Sequence, residues 1–404
     1  MNDKKPVRVL YLCSYIDGTI VDKYGLSLFS PAGLKKKQGV INSLESLDVK
    51  VTVLSPILVN DFKFKFFKSW KYRGDRGADI HFPSTITLFP FNILLLFFSS
   101  ILHVMHIKKM NGFDVIIFYN YRFNVVFPAI FSKLVYQTPI ILQYEDGLFD
   151  APSRFTAILS TVLEWFVKRF LDGAVLVSST FEKRIKTDNF AVLRGFIEDI
   201  KLTEETGQPI KNKKIVLFFG QFDTVRGIDI FLEACRMALD DETIKDKLEF
   251  WIAGYGNEGM VQKVEEAASK LINTKYIGFL HPNSEDYKNI LGSVDITVNL
   301  QKPSIKFSTY CFPSKILEFM SYEKIIISTD ISDIKRISNG RIVLTGPSPS
   351  DFILVLKDII ENYENYAEYG VEAKKWVIEN CTMPPTGVKL RRVIDRALNS
   401  KTLK

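Results

Sequence analysis

Apolar and polar positions along this chain follow two alternating rhythms. Short runs of consecutive apolar residues, bounded by turn formers, read as buried strands. Between them lie stretches with apolar residues three and four apart, which read as helices. Residues 7–12, 49–54, 115–119, 140–143 and 174–178 supply such strands in the first half, with a helix over 31–47. The pattern weakens over 194–211, where Glu198, Asp199, Glu204, Glu205 and Gly207 crowd a charged, turn-rich segment. A second series follows at 215–219, 248–253, 275–277, 296–299, 325–328 and 341–344, and longer helices occupy 350–398. Strands alternating with helices imply parallel sheets. The pattern therefore predicts an α/β protein with one open domain over residues 1–200 and a second over 201–375. A helical segment over 376–404 is expected to pack back on the first. In open α/β domains ligands sit outside the carboxyl ends of the strands, so the loops there are where chemistry is sought.

Composition narrows the class. A chain of 404 residues suits two ordinary cores better than one. With 47% hydrophobic and 25% charged residues it is globular rather than disordered. The 53 Lys and Arg against 46 Asp and Glu leave an excess of seven, too small to imply a nucleic-acid partner. Cys13, Cys235, Cys311 and Cys381 are too scattered for a CxxC pair or a metal site, and suit reduced thiols. The amino terminus runs straight into the first strand without a signal-peptide core, so the expected location is cytoplasmic. His81, His103 and His106 show no metal spacing, and His281 beside Pro282 reads as structural.

Three loops of the second half carry more specific chemistry. The strand at 215–219 runs into Gly220, Gln221, Phe222, Asp223, Thr224, Val225, Arg226 and Gly227. Gly220 and Gly227 let the backbone approach a ligand, and Arg226 can bind two phosphate oxygens at once. The strand at 248–253 ends in Gly254, Tyr255 and Gly256. Neither loop is a GxGxxG fingerprint, and none follows the first strand, which argues against a nicotinamide dehydrogenase. Over 312–328, Pro313 and Ser314 suit a helix start. Lys315 and Glu318, three apart, then share a face. A lysine beside free N–H groups attracts phosphate, and a carboxylate one turn deeper can accept from ribose hydroxyls. A capped surface helix with an ordinary Lys–Glu pair is the plainer alternative.

Taken in order, GQFDTVRGID, FWIAGYGNE, YIGFLHP, ILGSVDITVNL and FPSKILEFMSYEKIIIST resemble the carboxyl half of family 4 (group 1) glycosyltransferases of the GT-B fold. The resemblance is strong over 215–337 and extends to the amino half in outline. It implies two Rossmann-like domains facing each other across a cleft, and a retaining, metal-independent transferase using a nucleotide-diphosphate sugar. It also implies that Arg226 binds the donor diphosphate and Glu318 the nucleotide ribose. Phe312, Ser314 and Lys315 would offer N–H groups to phosphate and sugar, which Pro313 cannot. Gly220 and Gly254 complete the implied donor site, and no cofactor beyond the donor is expected. Two positions depart from the family pattern. The first glutamate of the usual motif falls on Tyr310, and the arginine often found after the strand glycine is Gln221. These departures leave the donor sugar open and motivate the rival reading, a non-catalytic GT-B-like binding protein in a glycan assembly complex.

In the amino half, Glu145 and Asp146 follow a strand whose carboxyl edge should face ligand. Two carboxylates there could orient an acceptor hydroxyl or steady positive charge on the donor sugar, making them the candidate catalytic residues. The alternative for Asp146 is a turn cap before Gly147. The stretch 62–73, from Phe62 to Arg73, interleaves Lys63, Lys65, Lys68 and Lys71 with Phe64, Phe66, Phe67, Trp70 and Tyr72. That composition fits a peripheral contact at the inner membrane surface, or a solvated loop whose rings pack on the protein. The apolar run over 86–106 is interrupted by Pro90, Asn92, Ser99, Ser100 and His103, and reads as a buried or interfacial helix rather than a span. Together these features point to a glycan or lipid-linked acceptor in cell-surface polysaccharide assembly.

Overall fold

A computed structural model describes residues 5–24, 31–59, 63–74, 77–145, 154–198, 213–281 and 284–402. The chain forms two compact units, residues 1–198 with 382–404, and residues 199–381. The junctions therefore lie at 198/199 and 381/382, two and six residues from the expected positions.

The first unit opens with β1 (Arg8–Leu12), α1 (Gly18–Tyr24), α2 (Pro31–Glu45) and β2 (Lys50–Leu54). Short strands follow, β3 (Phe66–Phe67), β4 (Trp70–Arg73), β5 (Asp79–Phe82) and β6 (Thr85–Ile86). Then come α3 (Phe91–Met110), β7 (Val115–Tyr119), α4 (Phe123–Tyr136), β8 (Ile140–Tyr144), α5 (Arg154–Val167), β9 (Gly173–Leu176) and β10 (Phe190–Val192). Eight strands form one sheet in the order β10-β9-β8-β7-β1-β2-β5-β4, parallel except where β4 runs against β5. Strands β7 and β8 are buried throughout, which is why they read as unbroken apolar runs.

The stretch around residue 70 divides its rings between the core and the surface. Strand β4 alternates at period two, with Trp70 and Tyr72 stacked on Phe82 and Lys71 and Arg73 outward. Trp70 Nε1 donates to Tyr24 Oη at 2.9 Å, and Phe67 packs on the same core. Of the rings expected to meet lipid, Phe64 and Phe66 are exposed and Phe67, Trp70 and Tyr72 are turned inward. Phe62 lies outside the described residues.

The second unit runs β11 (Lys214–Gln221), α6 (Ile228–Leu239), β12 (Leu248–Tyr255), α7 (Glu258–Ser269), β13 (Thr274–Gly278), α8 (Glu285–Ser293) and β14 (Ile296–Asn299). It continues through α9 (Lys306–Tyr310), α10 (Lys315–Ser321), β15 (Ile325–Thr329), α11 (Ile334–Ser338), β16 (Val343–Thr345), α12 (Pro349–Glu361) and α13 (Tyr363–Cys381). Its six strands are all parallel, in the order β13-β12-β11-β14-β15-β16. The last helix, α14 (Met383–Thr402), returns to the first unit and packs on α2. Its Gly387 lies so close to α2 that a Cβ there would sit 2.6 Å from the Ser43 carbonyl oxygen. Both sheets reverse direction once. The crevice lies between β1 and β7 in the first unit and between β11 and β14 in the second, the positions at which open α/β sheets accept ligands.

Candidate active site

In the second unit the loops after β11, β12 and β14 converge on that reversal. Gly220 and Gly254 are register partners on adjacent strands. Gly254 has φ +149°, and a Cβ there would lie 1.8 Å from the Gly220 carbonyl oxygen, so only glycine fits. Gly227, at φ +80°, opens α6 with its Cα against the Leu300 carbonyl, where a Cβ would approach to 2.2 Å. This contact, with Lys302 N donating to Val225 O at 2.9 Å, fixes the loop that carries Arg226. Asp223 steers it further. Its carboxylate accepts from Arg226 N at 2.7 Å and lies 3.7 Å from Arg226 Nε. The guanidinium side chain remains 40% exposed, open to a ligand.

Lys315 opens α10, and its ammonium reaches back across the sheet edge. Nζ donates to the Phe219 carbonyl at 3.4 Å, lies 3.9 Å from the Phe219 ring centre, and sits beside Gly220. Burial, opposed by Glu318 and reinforced by Arg226, lowers its pKa to about 8. The Arg226 charge thus acts on Lys315, and both cations belong to the loops at this reversal. Ser314 does not cap the helix through its side chain as expected. The N–H groups of Ile316 and Leu317 are instead taken up by the carbonyls of Pro313 and Ser314, at 3.0 and 3.1 Å. Among the described residues, the N–H groups of Phe312, Ser314 and Lys315 donate to no backbone carbonyl.

Glu318, one turn deeper, accepts a short hydrogen bond from Tyr287 Oη. Tyr287 is buried against the Phe219 ring at 5.0 Å, and burial with the Glu318 charge drives its pKa far above the ordinary phenol value. The phenol thus stays protonated and holds the carboxylate in place. Tyr287 and Asp223 were missed from the sequence. Asp223 could have been found from its i,i+3 spacing to Arg226, whereas Tyr287 lies 31 residues before Glu318 and carries no local signal.

The first unit treats its carboxylate differently. Glu145 is 5% exposed, and both its oxygens are engaged. Oε2 accepts from Lys36 Nζ at 2.7 Å and Oε1 from Gln143 Nε2 at 2.9 Å. Gln143 accepts in turn from Tyr11 Oη at 2.7 Å, and Asn120 Oδ1 accepts from Glu145 N at 2.8 Å. The arrangement is a buried ion pair that orders the ends of β1, β7 and β8 around α2. Asp146 lies outside the described residues.

Residues 213–362 match the model of the group 1 glycosyl transferase family. An uncharacterized glycosyltransferase of Methanocaldococcus jannaschii is 22% identical to this chain over 297 residues, 68% of the chain and 73% of the relative. Among solved structures, HepE of Anabaena in complex with UDP superposes with a TM-score of 0.66 at 12% identity, covering 96% of this chain and 100% of HepE. A glycosyltransferase of Rickettsia africae gives a TM-score of 0.67 at 14% identity, covering 98% and 99%. The fold is GT-B, and the site at the β11–β14 reversal lies inside the segment that matches the family model.

Proposed function

We propose that the protein is a retaining, metal-independent glycosyltransferase that uses a nucleoside diphosphate sugar as donor. Its acceptor is a hydroxyl of a lipid-linked glycan, in the assembly of a cell-surface polysaccharide. The carrying observation is the joint placement of Lys315, Arg226 and Glu318, two neighbouring cations and a tyrosine-held carboxylate at one strand reversal. HepE has been solved with UDP and with UDP-glucose, which supports this donor class. In the reaction the bond from the sugar carbon to the diphosphate oxygen breaks and the diphosphate takes the electron pair. Arg226, Lys315 and the N–H groups of Phe312, Ser314 and Lys315 stabilise that developing charge. A diphosphate oxygen then accepts the proton of the acceptor hydroxyl as its oxygen bonds to the same face of the sugar. Glu318 holds the ribose. No carboxylate of the first unit is required as base, in keeping with the buried pairing of Glu145.

A thermal-shift screen of UDP- and GDP-sugars tests the donor class. A true donor at a hundred times its Kd should stabilise the protein by about 2.7 kcal/mol. Absence of stabilisation by every nucleotide would remove the donor reading. Stabilisation without nucleoside diphosphate release, on addition of lipid-linked glycan acceptors, would leave a binding protein in place of an enzyme.

A further inference from the structure

Helix α3 is apolar on its outward face. Phe91, Leu94, Phe98, Leu102 and Met105, spaced three and four apart on one face, are each 43–63% exposed. The opposite face buries Asn92, Ser99 and Ser100 together with Leu96, Val104 and Ile107. Asn92 Nδ2 donates to Val59 O at 3.1 Å, Ser99 Oγ accepts from Ser84 N at 2.8 Å, and Ser100 Oγ donates to Leu96 O at 2.6 Å. A helix on a water-facing surface does the reverse and turns polar residues out. The apolar face continues beyond α3. Phe97 meets Phe127 of α4 edge-on at 5.4 Å, Phe127 meets Phe123 at 4.7 Å, and Phe123, Leu88, Phe89, Phe64 and Phe66 are exposed. A contiguous surface of this kind calls for an apolar partner.

We propose that this α3–α4 face inserts into the acyl region of a bilayer rich in anionic lipid, with α3 lying in the membrane plane. Length and composition alone would let α3 cross a membrane, at a mean hydropathy of 1.5. Its buried face, tied to the body of the unit through Asn92 and Ser99, fixes it lengthwise instead. Charge identifies the occupant. Exposed Lys63 and Lys65 lie at one end, tied there by the hydrogen bond from Lys65 N to Thr87 Oγ1 at 2.9 Å, and exposed Lys109 lies at the other. Cations at both ends of a helix about 30 Å long match headgroups around its embedded apolar face. A second copy of this chain would bring lysine against lysine in either antiparallel or parallel pairing, which opposes self-association. This inference goes beyond the donor-site reading and does not depend on it.

Flotation of the full chain with vesicles of equal parts phosphatidylcholine and phosphatidylglycerol tests it without any turnover. The wild type should float and keep a bound fraction in high salt. Leu94→Gln, Phe98→Gln and Leu102→Gln together should lower partitioning by about a hundredfold or more, with a retained cooperative thermal unfolding transition as the check on folding. Leu102→Cys carrying an environment-sensitive fluorophore gives a second readout, since Cys13, Cys235, Cys311 and Cys381 are all buried. Its emission should shift to the blue on vesicle addition. The proposal is overturned if the wild type stays with the aqueous phase or is wholly released by salt. Equal flotation of the triple variant, an unshifted label, or a concentration-dependent dimer that the triple variant abolishes would overturn it as well.

Discussion

The two sheet reversals handle charge in opposite ways. At β1–β7, Glu145 and Lys36 neutralise each other under cover, with Gln143, Asn120 and Tyr11 completing the network. At β11–β14, Arg226 and Lys315 are both positive, and Asp223 and Glu318 partly offset them. A satisfied buried pair has little left to offer a substrate, since its desolvation has already been compensated within the fold. Two cations held near each other gain by meeting a dianion. The first arrangement reads as architecture and the second as a site awaiting its counter-charge.

That contrast can be broken most forcefully at Glu145. Glu145→Ala strands Lys36, and should lower stability by about 3 kcal/mol, the low end for a broken buried pair because Lys36 keeps some solvent contact. Denaturant unfolding measures it, and UDP affinity should stay within twofold of wild type, about 0.4 kcal/mol. A variant of native stability that has lost donor binding would reverse the assignment of the two reversals. Arg226→Ala should do the opposite. Donor diphosphate affinity should fall by about 1.5–3 kcal/mol in calorimetry, while the unfolding midpoint hardly moves, since the Asp223 pair it removes is part-exposed. The smallest effect is one of pH. With its pKa lowered to about 8, Lys315 is charged below that pH in the free protein and neutral above it. A bound diphosphate favours the charged form, so donor affinity should decline as pH rises through 8, reaching about tenfold weaker by pH ~9. Lys315→Arg should flatten that decline, because a guanidinium keeps its proton throughout this range. A flat profile in the wild type would remove Lys315 from the donor contacts.

What could be read from the sequence follows the range of the interactions. Strands such as β7 and β15 announce themselves because every residue in them is buried. Lys315 and Glu318 are legible because three residues of helix fix their relation. The hairpin β4–β5 was hidden in an aromatic and basic stretch, although Trp70, Lys71, Tyr72 and Arg73 carry the period-two alternation of an edge strand. The Tyr287–Glu318 bond and the Lys36–Glu145 pair, spanning 31 and 109 residues, depend on how strands are ordered in the sheet. No local pattern encodes that order. Ser314 failed as a cap for a similar reason: the chain entering α10 is already turned helically at Ser314, so its hydroxyl does not reach the helix N–H groups.

The return of α14 sets a timetable for the ribosome. Leu390, Val393, Ile394 and Ala397 are part of the same buried core as β1 and β2, yet they are translated after the whole second unit. At ~5–20 residues per second, the first unit's sheet waits roughly 10–40 seconds for the helix that covers it. The second unit is complete by Cys381 and can fold while that wait lasts. The first domain to be made is thus the last to be finished, and for that interval its α2 face and neighbouring strand surfaces are the part of the nascent chain most in need of a chaperone.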